Sequence, residues 1–350
     1  MPSVSLTRYV EYARRIAQTG LFSTTICCLI LIILTIFGVK RNFGSYKHFL
    51  IVFPSLGILF AVLEFILYPN VHSHKAGYVF YSTSHPFNLG KTAVTWMLAF
   101  YSGVYSSTIS MLSVQFLYRY WAVFCTTKLR YFKGWRFGMW FYYVLSYGLM
   151  WAMANYHFTK VDDYAESYMK QMMMERYGVE FSNNAWIICV AYYPDGSPRW
   201  WNLFCTITMT FIMVVQYSVI VYCSIRMYID MEDKIQILSP SLRALHKQFF
   251  KTLILQVVTP TITLFSPVIF IIYLPLFDMD WDIPTGTFLC GFTLYPAMDA
   301  IIVLYVVQDY RKAVMYLLRK MAIGIREWST TATNRPATRS GSFNVAATFH

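Results

Sequence analysis

The sequence predicts an all-α membrane protein: a bundle of seven transmembrane helices with a short amphipathic helix after the last span. Three observations carry that prediction. Hydrophobic residues fill 57% of 350 positions and charged residues only 13%, far from the near-half apolar, quarter-charged balance of a soluble domain. Seven stretches reach the length of about 20 mostly apolar residues that a helix needs to cross about 30 Å of hydrocarbon. The lysines and arginines, finally, are divided unequally between the two sets of connecting loops.

The first span, Leu21 to Val39, follows a basic stretch as the core of a signal peptide would, but it is too long and no small-residue cleavage site follows, so it reads as retained. Residues 1–20 are then an extracellular N-terminus. The second span, Phe49 to Tyr68, contains Glu64, and the third, Thr92 to Phe124, ends on YRYW. After the fourth, Arg136 to Asn155, comes a long acidic connection carrying VDDYAESYMKQMMMERYGVE, which reads either as a short outer helix covering a cavity or as a solvated excursion. The fifth span is Trp200 to Ile225.

The sixth, Gln248 to Leu276, is preceded by SPSLRALHKQFFK, in which Ser239 is an N-cap and Pro240 occupies the first helical position. There Arg243, Lys247 and Lys251 form a basic stripe beside an apolar one, suited to lipid phosphates or to a docking partner. Pro260 and Pro267 lie two turns apart, and each removes a backbone hydrogen bond and bends the helix. The seventh span, Ile283 to Val307, holds Pro296 and Asp299. Just ahead of it FDMDWDIP groups Asp278, Asp280 and Asp282 as a topology signal. Residues 308–328 have the apolar spacing and interleaved basic residues of a helix lying on a membrane surface. Residues 329–350 have the composition of a disordered cytosolic tail.

Charge gives the orientation. With the N-terminus on the first side, nine Lys and Arg fall on that side and 20 on the other, whereas ten acidic residues lie on the first side and five on the second. The positive-inside rule places the N-terminus outside and the C-terminus in the cytosol of a multi-pass plasma-membrane protein. The net charge of +12 is thereby a face toward anionic lipid and protein partners, with no nucleic acid implied.

An ionisable side chain at membrane depth costs at least about 2.5 kcal/mol and signals function. Glu64 and Asp299 qualify. At about 1.5 Å per residue they lie about 24 Å and about 14 Å from the cytosolic edge, too different in level to share a proton. No metal-spaced His or Cys cluster, nucleophile motif or phosphate loop is present, so no cofactor and no enzyme is indicated. His72 and His74 read as polar loop residues. Trp96, Phe100, Tyr101, Tyr105, Trp186, Phe265 and Tyr273 are the aromatic candidates for a cavity that would suit a small, mostly apolar molecule. A ligand-gated channel or transporter using Glu64 and Asp299 is the alternative.

Specific stretches sharpen this reading. NFGSYKH, GILFAVLEFILYP, FNLGK, LYRY, LHKQFFKTLILQVVTPTI, LYPAMD and DYRK occur in that order between Asn42 and Lys312. With them the chain resembles the nematode str-type seven-transmembrane chemoreceptors coupled to G proteins, the group that includes the diacetyl odorant receptor. The resemblance implies an olfactory-type receptor for a small-molecule odorant, acting on a heterotrimeric G protein, in the plasma membrane and in a sensory cilium. By the same resemblance Arg119 holds the inactive cytosolic end and meets the G protein, next to a face of Arg243, Lys247, Lys251 and Arg311. Asp299 corresponds to the acid or amide of the hinge in the seventh span. This chain has Tyr118 where an acid usually precedes the arginine, and Ala300 where relatives carry proline, so Pro296 must supply the bend.

Overall fold

The computed structural model describes residues 7–38, 45–179, 181, 184–235, 254–278, 282–283 and 285–333. Seven long helices run alternately up and down. They are α1 (Thr7–Ile33, extended by a π turn Leu34–Gly38), α2 (Tyr46–Leu67), α3 (Lys91–Phe124), α4 (Phe137–Phe158), α6 (Trp200–Ile235), α7 (Ile254–Phe277) and α8 (Gly286–Val306). A shorter α5 (Asp163–Tyr177) lies in the connection from α4 to α6, and α9 (Gln308–Thr333) follows the last span. The helical bend at Val307 is 93°, so α9 lies across the bundle axis as the amphipathic pattern predicts.

Among the described residues four helices are long and apolar enough to cross a membrane alone, and α8 with α9 makes a fifth. The exceptions α3 and α4 have a physical reason. Ser102, Ser106, Ser107, Thr108, Ser110 and Ser113 of α3 are all buried, because α3 is central and faces neighbouring helices. It need not be greasy all round. The α4 sequence substitutes Tyr, Trp, Asn and His for aliphatic residues. Small residues let these two helices meet closely: a Cβ on Gly103 would lie 2.8 Å from the Gly148 carbonyl oxygen.

The all-α expectation omits a four-stranded antiparallel sheet at the end where the helices begin and end on the α5 side. It comprises β1 (Asn70–His74), β2 (Gly77–Ser82), β3 (Ala185–Val190) and β4 (Asp282–Ile283), in the order β3-β2-β1-β4. The β1–β2 hairpin closes through Lys75, whose φ is +46°. Side chains alternate between two layers, as strand geometry requires. Tyr78, Phe80, Ile187 and Cys189 join the bundle core, while Val79, Tyr81, Trp186, Ile188 and Val190 pack on Met169, Met172, Met173 and Tyr177 of α5. Burial on both sides makes these strands read as short continuous apolar runs rather than as alternating ones.

Two further corrections follow from this cap. The first helix starts at Thr7, not Leu21: Ala13 and Ala17 are buried, Val10 packs against the α5 cluster, and Arg14 lies over the Tyr68 ring. His72 is fully buried, with Nδ1 2.8 Å from the Tyr177 hydroxyl, because β1 turns it toward α5. The cap is tied by Arg199, only 5% exposed, which pairs with Asp162 and packs on the rings of Tyr164 and Tyr193.

Asp162 is also the N-cap of α5, accepting from the Ala165 amide at 2.8 Å. An N-cap is worth about 0.5–2 kcal/mol. Asp162→Ala is therefore expected to speed amide exchange across α5 by about tenfold while leaving the seven long helices unchanged. Exchange mass spectrometry reads both regions in one experiment, and unaltered exchange in α5 would contradict the assignment.

Candidate functional site

Two sites lie along the bundle, one at the sheet end and one toward α9. The first is a mostly apolar cavity of about 70 Å³ under the sheet. Val71, Tyr78 and Phe80 roof it, Tyr101, Ser102 and Tyr105 of α3 form one wall, and α4, α6, α7 and α8 complete it. The long connection therefore acts in two layers, with α5 on the sheet and the sheet on the cavity. Burial pushes the Cys189 thiol in that sheet up to about 12, so it stays a neutral, inert thiol. Six cysteines among the described residues are free.

Of the aromatic candidates, Tyr101 and Tyr105 line the cavity and the others do not. Trp96 and Phe100 are 43% and 53% exposed. They share a helix face four residues apart, and a turn of about 100° per residue carries Tyr101 and Tyr105 round to the other side. Trp186 faces away from the bundle, stacked between Tyr81 and Phe181. Phe265 packs on Tyr217 with ring centres 4.9 Å apart, and the Tyr273 hydroxyl lies 2.8 Å from Thr210 Oγ1. Both brace α7 against α6.

Polar contacts at the cavity wall are specific. The Tyr101 hydroxyl donates to the Glu64 carboxylate, and the rings of Phe60 and Tyr101 stack at 4.7 Å. Asn155 Nδ2 donates to Ser102 Oγ at 2.9 Å, and Ser102 donates to the Ala99 carbonyl. Tyr105 donates to the carbonyl of Leu264 at 3.0 Å, reaching from α3 into α7.

That carbonyl belongs to a π turn, Thr261–Phe265, which fills the interval between Pro260 and Pro267. The two prolines withhold amide protons from the ladder, and a wide turn accommodates the mismatch. Thr261 and Thr263 return their hydroxyls to the carbonyls of Val257 and Thr259, at 2.7 and 2.8 Å. A proline pair visible in the sequence thus becomes a local π turn gripped by a tyrosine of the cavity.

The second site lies one to two turns from the π turn on the same helix. Gln256 bridges Arg119 of α3 and Asp299 of α8: its Oε1 accepts from Arg119, and its Nε2 donates to Asp299 Oδ1 at 3.0 Å. Arg119 also donates to the Tyr46 hydroxyl of α2 through Nε at 3.1 Å and Nη2 at 2.6 Å. Tyr46 in turn stacks on Tyr118, the ring standing where an acid usually precedes the arginine. One network therefore joins α2, α3, α7 and α8. A small space of about 10 Å³ beside it is lined by Gln115, Arg119 and Asp299, enough for about one water.

Glu64 and Asp299 occupy different networks, as their levels predict. Pro296 lies inside the continuous helix α8. It packs against Gly57 of α2, where an added Cβ would overlap its ring; Cys28 of α1 also reaches its carbonyl at 3.7 Å. The sharp bend instead comes at Val307. Arg311 is exposed on α9, whereas Arg243, Lys247 and Lys251 lie outside the described residues. Sequence reasoning missed Gln256 and Tyr46 as members of the network. The available signal was an amide three residues before Thr259-Pro260 in an apolar span, and a tyrosine at a helix start, both common enough to pass as neutral.

Seven long helices thus hold an apolar cavity under the sheet and a charged network toward α9, with α7 running through both. The family model described as serpentine-type 7TM GPCR chemoreceptor Str matches residues 13–315. The chain is 34% identical over 313 residues to the G-protein coupled receptor str-33 of Caenorhabditis elegans, covering 88% of this chain and 91% of that protein. It is 28% identical over 283 residues to serpentine receptor class r-10 of the same organism, covering 79% and 83%. The chain belongs to the Str family of serpentine chemoreceptors, a family of multi-pass membrane receptors and not of enzymes.

Proposed function

We propose that the sheet-end cavity binds a small, mostly apolar odorant and that the α9 end activates a heterotrimeric G protein. The sheet end faces outside and α9 the cytosol, in the plasma membrane of a sensory cilium. The observation that supports this most is the Tyr105–Leu264 hydrogen bond, because it ties the cavity wall to the π turn of the helix that also carries Gln256. A ligand in contact with Tyr105 favours one setting of that turn, and with it one arrangement of Arg119, Gln256 and Asp299. Opening of these contacts exposes the face that includes Arg119 and Arg311, extended by the stripe of Arg243, Lys247 and Lys251, to the G protein.

Interhelical hydrogen bonds within membranes are worth about 0.6–2 kcal/mol. Tyr105→Phe, which keeps the ring contacts with Trp151 and Phe292, is expected to shift the odorant concentration for half-maximal response by about three- to thirtyfold. A dose-response curve at matched surface density measures it. The broader test is odorant-evoked G-protein dissociation in heterologous cells. An odorant-evoked ion current persisting in cells without G proteins would replace the receptor by a channel.

A further inference from the structure

We infer that the ligand is a short aliphatic alcohol whose hydroxyl donates to Asn155 Oδ1. This rests on the reading of the sheet-end cavity as the ligand site and specifies which chemistry that cavity accepts. The orientation of the Asn155 amide follows from its neighbour. Ser102 gives its only proton to the Ala99 carbonyl at 2.7 Å, so toward Asn155 it can only accept. The amide nitrogen must therefore face Ser102, at 2.9 Å, and the amide oxygen must face away from it. Asn155 is 4% exposed and lines the cavity, and its Oδ1 accepts no hydrogen bond among the described residues.

The tyrosines of the same wall are also donors to protein. Tyr101 gives its proton to Glu64 and Tyr105 gives its own to Leu264. The cavity thus offers lone pairs. Donors remain as well, the second amide proton of Asn155 and the indole N–H of Trp151, which also lines the cavity.

Three ligand classes fit poorly. A hydrocarbon leaves Oδ1 buried without a partner, which is costly. A ketone, ester or ether can take the second amide proton or the Trp151 indole proton but still leaves Oδ1 unsatisfied. An ammonium would need a carboxylate on the wall, and Glu64 is not among the lining residues. A hydroxyl both gives and takes, and it matches an amide edge. The volume of about 70 Å³ holds about five to seven water-sized groups at about 10–15 Å³ each, which corresponds to alkanols from butanol to hexanol.

The test uses the full-length chain in phosphatidylcholine nanodiscs with three compounds of equal heavy-atom count: 1-pentanol, 2-pentanone and butyl methyl ether. Affinities come from ligand-dependent melting curves. Pentanol is expected to bind at least about tenfold tighter than the other two, and Asn155→Leu is expected to bring all three within a factor of about three. Should that variant not fold, Ser102→Ala keeps the amide but frees it to turn over, and the ketone should then approach the alcohol. Equal binding of the three by the unaltered chain, tighter binding of the ketone or ether, or no binding of pentanol overturns the inference. G-protein activation, measured in parallel, separates the two readings. Selective pentanol binding without activation leaves the inference standing and removes the receptor reading; activation by the ketone in preference to the alcohol does the reverse.

Discussion

Gln256→Leu is expected to raise basal signalling about tenfold at equal surface density. The substitution deletes both hydrogen bonds of the bridge, the one accepted from Arg119 and the one donated to Asp299 at 3.0 Å. Each such bond between membrane helices contributes about 0.6–2 kcal/mol, and 1.4 kcal/mol is tenfold in an equilibrium constant. These two bonds hold α7 against α3 and α8 at the α9 end, so without them the equilibrium should move toward the open arrangement. Arg119 keeps Tyr46 as an acceptor, which limits the damage to folding. Asp299→Asn retains an oxygen for Gln256 Nε2 and should stay within about threefold of the unaltered chain, whereas Asp299→Leu should behave like Gln256→Leu. Surface epitope staining and G-protein activation, read separately, decide the matter. Basal and evoked signalling that stay normal in Gln256→Leu would remove the network from the mechanism.

The second large effect is on assembly. Gly148→Ala should abolish most surface expression, because a Cβ there would overlap Ser107 Oγ and lie 2.9 Å from the carbonyl oxygen of Gly103. A serine hydroxyl can rotate away, but the α3 backbone cannot move without opening its whole interface with α4. Overpacking of this kind costs about 1–3 kcal/mol, a large share of the marginal stability typical of a folded protein. Gly138→Ala on the same helix is the control, since nothing lies within 4 Å of the Cβ it would gain, and it should express normally. Normal surface levels for both variants would show that α3 and α4 are farther apart than described.

Much of the bundle was legible because lipid imposes a simple rule. A span must be long, apolar and helical, and the runs around Phe49, Trp200 and Ile254 state it openly. The buried charges were legible for the same reason, since Glu64 and Asp299 stand out against hydrocarbon. Their partners were not. Tyr101, Tyr46 and Gln256 are ordinary residues until the helices are rotated and stacked, and a rotation error of one residue, about 100°, exchanges Phe100 for Tyr101 at the cavity wall. The cap was harder still. GYVFYS and AWIICV are buried on both faces, so alternation, the usual mark of a strand, is absent, and their pairing joins residues more than a hundred positions apart.

By itself, then, the sequence determined that the chain lives in a bilayer, roughly where each helix crosses, and that two acids lie where lipid would not tolerate them unaided. Local composition suffices for these, because transfer into hydrocarbon acts on each segment separately. Only the tertiary structure decided that Gln256 joins Arg119 to Asp299, that Tyr105 grips the π turn, and that a sheet roofs the cavity. Those outcomes depend on which faces of distant helices and strands meet, and that choice is made by packing across the whole bundle rather than by any one stretch of residues.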